Sequence, residues 1–100
     1  MKKFYVKIIL STFLLVGCAT IGNEFDISAV SGFVPGETTY SEAVQMLGNN
    51  PIGSKQNEDG SMVYRWAWSH ANLAGAGADR VDLLFDSNGK FIRELSRSSL

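Results

Sequence analysis

From Met62 onward the chain alternates with a period of two. Met62, Tyr64, Trp66 and Trp68 alternate with Val63, Arg65 and Ala67, and Val81, Leu83 and Phe85 resume the pattern further on. Successive side chains of a strand point to opposite faces, so this spacing gathers the large rings on one side and the smaller or charged residues on the other. The pattern requires a sheet with one buried and one wet face, which is the habit of antiparallel sheets. Asn57-Glu58-Asp59-Gly60 and Asp86-Ser87-Asn88-Gly89 read as hairpin-type turns, Ile52 to Gln56 as a weak strand, and Lys90 to Leu95 as the last strand. Ala71 to Ala78, with Gly75 and Gly77 among alanines, reads as a flexible loop. The result is a meander of three consecutive strands.

Helical signals precede the strands. Asp26 to Phe33 predicts a two-turn helix, with Ile27 and Val30 on one side and Asp26 as its cap. Pro35-Gly36 marks a turn. Thr39 followed by Glu42 fits a capping box, and Tyr40, Val44 and Leu47 then form one apolar stripe with Ala43 beside it. Gly48 suits the left-handed position after a helix, and Pro51 prevents continuation. Helices first and strands after predict an α+β domain, with two short helices on one face of a three-stranded antiparallel meander.

The front of the chain obeys other rules. Lys2, Lys3 and Lys7 give a positive start, Ile8 to Val16 are apolar except for Ser11 and Thr12, and Gly17 precedes Cys18, the only cysteine. This is the anatomy of a secretory signal. A transmembrane helix needs roughly 20 apolar residues, about twice this run. Leu15-Val16-Gly17-Cys18 also resembles a lipobox, where lipoprotein signal peptidase cuts before a cysteine carrying a diacylglycerol thioether. A lone cysteine in an exported protein has no internal disulfide partner, and acylation accounts for it. The expected division is a signal peptide over 1–17, a lipidated tether over 18–24 and one domain over 25–100. Ala19, not Asp, follows the cysteine, which by resemblance to sorting rules directs the mature form to the periplasmic face of the outer membrane.

Removal of residues 1–17 leaves 83 residues, one small domain. Three of the nine basic residues leave with the signal, and the remaining six face ten acidic ones, a net of −4. Without a basic stripe, nucleic acid is not an expected partner. Nor would the acidic balance hold anionic lipid by charge, so membrane attachment falls to the acyl chains on Cys18, of which stable anchoring needs more than one. Phe25, Phe33, Tyr40, Tyr64, Trp66, Trp68, Phe85 and Phe91 supply a core and argue against disorder.

Val34-Pro35-Gly36-Glu37-Thr38-Thr39, Glu42-Ala43-Val44 and Leu47-Gly48 resemble the "pGxTtxxeVxxxlGxP" signature of the SmpA/OmlA (BamE-like) outer-membrane lipoprotein family. Tyr64-Arg65-Trp66 and Leu83-Leu84-Phe85-Asp86-Ser87-Asn88-Gly89 are similar to its "yxY … lxlxFdxxG" stretch, so the likeness runs from about Phe25 to Leu95. It implies two helices on a three-stranded antiparallel sheet, a fold also used by β-lactamase-inhibitory proteins. It further implies a non-catalytic docking or accessory subunit of an envelope complex, such as the machinery that inserts β-barrels into the outer membrane. An inhibitor or exclusion lipoprotein that binds a single envelope enzyme or receptor is the alternative.

Few residues invite chemistry. His70 is the only histidine, and a metal site needs several converging ligands. Ser69, His70, Asp79 and Asp82 suggest a triad, but neighbours on a strand point to opposite faces. Asp86 to Gly89 lacks the length and the distal Glu of a calcium loop. No enzyme, metal or cofactor is expected. Tyr64, Trp66 and Trp68 read as core, or alternatively as an exposed platform for peptide or glycan. On the opposite face Val63, Leu84 and Ile92 are expected near one another, with Arg65, Asp82 and Glu94 around them. They read either as scattered surface residues or as a partner-binding patch of Val63, Arg65, Leu84 and Ile92.

The thioether needs the Cys18 sulfur, so Cys18→Ser is expected to abolish palmitate labelling and leave an unprocessed or soluble precursor. Continued labelling of the serine variant contradicts the lipoprotein reading.

Overall fold

The computed structural model describes residues 19–73 and 75–99. Its elements are β1 (Ala19–Gly22), a 3-10 helix (Ile27–Gly32), α1 (Tyr40–Leu47), β2 (Gly53–Gln56), β3 (Met62–Asn72), β4 (Gly75–Phe85) and β5 (Phe91–Ser99). All strand pairings are antiparallel. Strands β3, β4 and β5 form the expected meander, and β1 and β2 share the remaining edge of β3. Gly53–Gln56 covers its Met62–Arg65 stretch and Ala19–Gly22 its Trp68–Ala71 stretch, so five strands fill four lanes.

Three expectations are corrected here. The sheet has more strands than the three-stranded meander, because Ala19–Gly22, read as part of a tether, is a strand, and so is the weak segment ahead of Asn57. Ala71–Ala78 is not a loop. β3 and β4 pair without interruption out to Asn72 and Gly75. Gly77 marks a close approach rather than slack, because a Cβ there would lie 2.8 Å from His70 Cε1. Finally, β5 passes Leu95 and runs to Ser99, after two register shifts against β4.

The faces follow the period of two. Trp66 pairs with Val81, Tyr64 with Leu83 and Met62 with Phe85 on the inner side. Trp66, Val81, Leu83, Phe85 and Phe91 are buried against Phe25, Val30, Phe33, Ala43 and Leu47. Trp66 is 1% exposed, which excludes it from a surface platform. Tyr64 is half-buried, its ring centroid 4.4 Å from that of Tyr40 and 5.6 Å from that of Phe85. The aromatic row is core.

Each helix is local chemistry turned toward that row. Asp26 caps the 3-10 helix by accepting from Ser28 N at 3.1 Å, and Val30 is its buried residue. In α1 the capping box closes both ways: Thr39 Oγ1 accepts from Glu42 N at 3.2 Å, and Glu42 Oε1 accepts from Thr39 N at 3.0 Å. Gly48 ends the helix at φ 87°, a conformation costly for any residue with a Cβ. Ala43 and Leu47 are buried, whereas Tyr40 and Val44 are half-buried, so the buried stripe centres on Ala43 and Leu47.

The segment between the helices is sewn to the start of β5. Gly36 N donates to Phe91 O, Phe91 N to Thr38 O and Tyr40 N to Gly89 O, each at 2.8 Å. The buried Thr38 hydroxyl accepts from Val34 N at 2.8 Å. On the other side of the core, Trp66 Nε1–H donates to Asn49 O at 2.9 Å, so the turn after α1 satisfies the one polar atom of the ring.

Trp66→Ala removes a fully buried ring and is expected to cost about 3–5 kcal/mol. That is comparable to the whole net stability of about 3–5 kcal/mol for a domain this small. Arg65→Ala, on the other face, is expected to cost much less. Denaturant melts of both variants without the signal segment decide it, and a greater loss from Arg65→Ala contradicts the assignment of faces.

Candidate functional site

The helices cover one face of the sheet, and the other faces solvent. Val63 and Leu84 are direct partners across β3 and β4, both half-buried. One step along, Arg65 pairs with Asp82. Arg65 Nε reaches Asp82 Oδ1 at 2.7 Å and Nη2 reaches Oδ2 at 3.0 Å, a two-point ion pair. Ser96 Oγ, from β5, donates to Asp82 Oδ2 at 3.0 Å. A charged network thus crosses three strands beside the apolar pair.

Ile92 does not complete that patch as expected. The register shift between Leu84 and Phe85 pairs Leu84 with Arg93 and Phe85 with Phe91, so Ile92 is the extra residue of a bulge. Glu94 also leaves the expected ring of charges: it stands opposite Leu83, on the inner side, and binds Arg97 Nη2 at 2.6 Å. Of the four residues proposed from sequence, Val63, Arg65 and Leu84 lie side by side and Ile92 lies at the margin, 36% exposed. Lys55, paired with Val63 from β2, takes a place beside them. Gly53, Ser54, Lys55, Val63, Arg65 and Asp82 line a shallow depression of about 270 Å³. Leu15, Val16, Gly17 and Cys18 lie outside the described residues.

Ser96 and Lys55 were missed because each depends on pairing. A strand ending at Leu95 cannot bring Ser96 to Asp82, and only the β2 register puts Lys55 next to Val63. Alternation of Arg93, Ser96 and Ser98 after a skipped residue was the one available signal for the first.

The electrostatics are local. The Arg65 guanidinium, then the Ser96 hydroxyl, holds the Asp82 carboxyl below the usual carboxylate range, with the nearby charges of Arg65 and Arg80 adding to the effect. The same pair pushes the Arg65 guanidinium up. Asp59 is also held low, by hydrogen bonds from the Ser61 hydroxyl and amide in the β2–β3 turn.

His70 belongs to the other face. It stacks on Trp68, with ring centroids 4.4 Å apart and planes at 25°, and its Nδ1 is buried with no hydrogen-bond partner among the described residues. Ser69 and His70 are consecutive in β3 and face opposite sides, and Asp82 is occupied by Arg65 and Ser96, so these residues do not assemble a Ser-His-Asp relay. Among the described residues no three His, Cys, Asp or Glu side chains converge as metal ligands. No protein-family model matches the chain, and no curated protein or solved structure matches it significantly.

A carboxyl whose acidity is strengthened by folding stabilises the protein above its unfolded pKa of about 3.9 and loses that contribution as pH falls through the lower folded value. Asp82 is therefore expected to contribute in full at neutral pH and to lose its contribution below about pH 4. Asp82→Asn should lower the neutral-pH melting temperature and flatten its fall on acidification, with Asp59 and with Glu42, which the Thr39 hydrogen bonds also hold low, retaining part of the slope. An unchanged pH profile in the variant contradicts the role given to the pair.

Proposed function

We propose that the chain is an outer-membrane lipoprotein, held by acyl chains on Cys18, whose folded domain acts as a non-catalytic docking or accessory subunit of an envelope protein complex. The observation that carries the anchor is Leu15-Val16-Gly17-Cys18 behind a lysine-rich start and a short apolar run. The resemblance to the SmpA/OmlA family makes the β-barrel assembly machinery the first complex to test.

The docking role is supported by the solvent-facing sheet. Val63 and Leu84 form a small apolar centre, and the adjacent Arg65–Asp82 pair is already internally neutralised. An apolar centre inside a polar surround is the usual arrangement of an energetic hot spot. A partner that covers Leu84 buries apolar surface without stranding an unpaired charge, whereas a charge placed at Leu84 must be desolvated or repelled.

Leu84→Glu is therefore expected to weaken partner recovery by about 2 kcal/mol or more, roughly 30-fold, if the position is central. Ser87→Glu, on the β4–β5 turn, should bind normally. The measurement is co-purification from solubilised membranes with a tagged, lipidated chain at matched expression, alongside a melt of each variant. Recovery of barrel-assembly subunits supports the accessory reading, and recovery of a single enzyme or porin supports an inhibitor instead. Full recovery by a folded Leu84→Glu variant removes the docking role from this face.

A further inference from the structure

We propose that the tip of the β3–β4 hairpin, with Leu73 at its end, rests in the headgroup layer of the membrane to which the chain is anchored. The inference rests on the lipid anchor at Cys18 proposed above.

The argument begins with how little chain separates anchor from sheet. β1 starts at Ala19, the residue after Cys18, and Ala19 pairs with Ala71. One peptide step is about 3.8 Å, an antiparallel Cα pair about 5 Å, and two residues of strand about 6.6 Å. The Leu73 Cα therefore lies within about 12 Å of the Cα of Ala19, the residue that follows the anchor in sequence. The far end of the same hairpin, where Met62 pairs with Phe85, is about 33 Å further along the strands. With no slack between acyl chains and sheet, the bilayer faces the Leu73 end of the domain.

That end is chemically suited to the position. Leu73 is fully exposed at 110% of its reference area, the most exposed large apolar residue among the described residues. Ser69 to Ala78 contains no Asp, Glu, Lys or Arg, although the mature chain carries a net charge of −4 that opposes approach to anionic lipid. The backbone sets the depth. β3 is paired on both sides near the tip, by β4 and by β1, but β5 ends at Ser99 opposite Asp79. The outer edge of Gly75–Ala78 thus has no strand partner among the described residues. Unpaired backbone groups tolerate the wet headgroup layer and not the hydrocarbon, so Leu73 dips in while the strands stay at the surface.

The test uses the full lipidated chain in vesicles of phosphatidylethanolamine and phosphatidylglycerol. Once Cys18 is acylated, Leu73→Cys supplies the only free thiol, and Ser87→Cys supplies one at the opposite end. Each thiol is labelled with an environment-sensitive dye, and brominated phospholipids serve as quenchers. Palmitate labelling and vesicle flotation report the anchor separately. The expected result is flotation of both proteins, with the dye at position 73 blue-shifted and losing most of its emission to brominated lipid, while the dye at position 87 behaves as in water. Flotation with a water-like dye at position 73 overturns the proposal and leaves the anchor standing. A blue-shifted dye insensitive to brominated lipid places the tip against a second copy of the chain or another protein, and also overturns it. Absence of palmitate and flotation removes the anchor and the proposal together.

Discussion

The seat of Trp66 is the contact on which the other elements depend. Its ring fills the space between the sheet and the two helical segments, and its single polar atom is matched by the Asn49 carbonyl. One side chain thereby ties the central strand to the turn that leaves α1. A smaller residue would leave a cavity that neither the short 3-10 helix nor an eight-residue α-helix could collapse to fill. Asp26 N–H donating to Leu47 O at 2.9 Å adds a backbone tie between the two helical segments.

Where side-chain spacing carries the information, the sequence reads well. The alternation at Met62–Trp68 and Val81–Phe85 gives the correct faces, Thr39 and Glu42 give the true start of α1, and Gly48 gives its end. Where information lies in pairing, it reads poorly. Ala71–Ala78 has no bulky alternation because its strands gain little by burying side chains. It is held by the ladder itself and by the room that Gly77 leaves for His70. Ala19–Gly22 and Gly53–Gln56 are short, and each is a strand because an edge of β3 is available, a fact remote in sequence from both.

The same division explains the candidate site. Val63, Arg65 and Leu84 follow from face assignment alone. The displacement of Ile92 and Glu94 follows from bulges, which depend on how β5 must curve to meet β4 and leave no mark in composition. The "pGxTt" segment gains a physical account as well. The Gly36 amide, the Thr38 carbonyl and the Tyr40 amide stitch it to residues 89–91 while the Thr38 hydroxyl holds its own turn at Val34, so the segment is a fastener between helix and sheet.

The bulged outer strand has a consequence for how the chain meets copies of itself. A straight, apolar outermost strand offers its free amides and carbonyls as a template on which another molecule can extend the sheet. Here two register slips spoil the even spacing such growth needs, and Arg93, Glu94 and Arg97 lie along the same border. Pairing a second copy in register would force charges together and leave donors facing no acceptor. The sheet is thus guarded at the place where runaway polymerisation would begin.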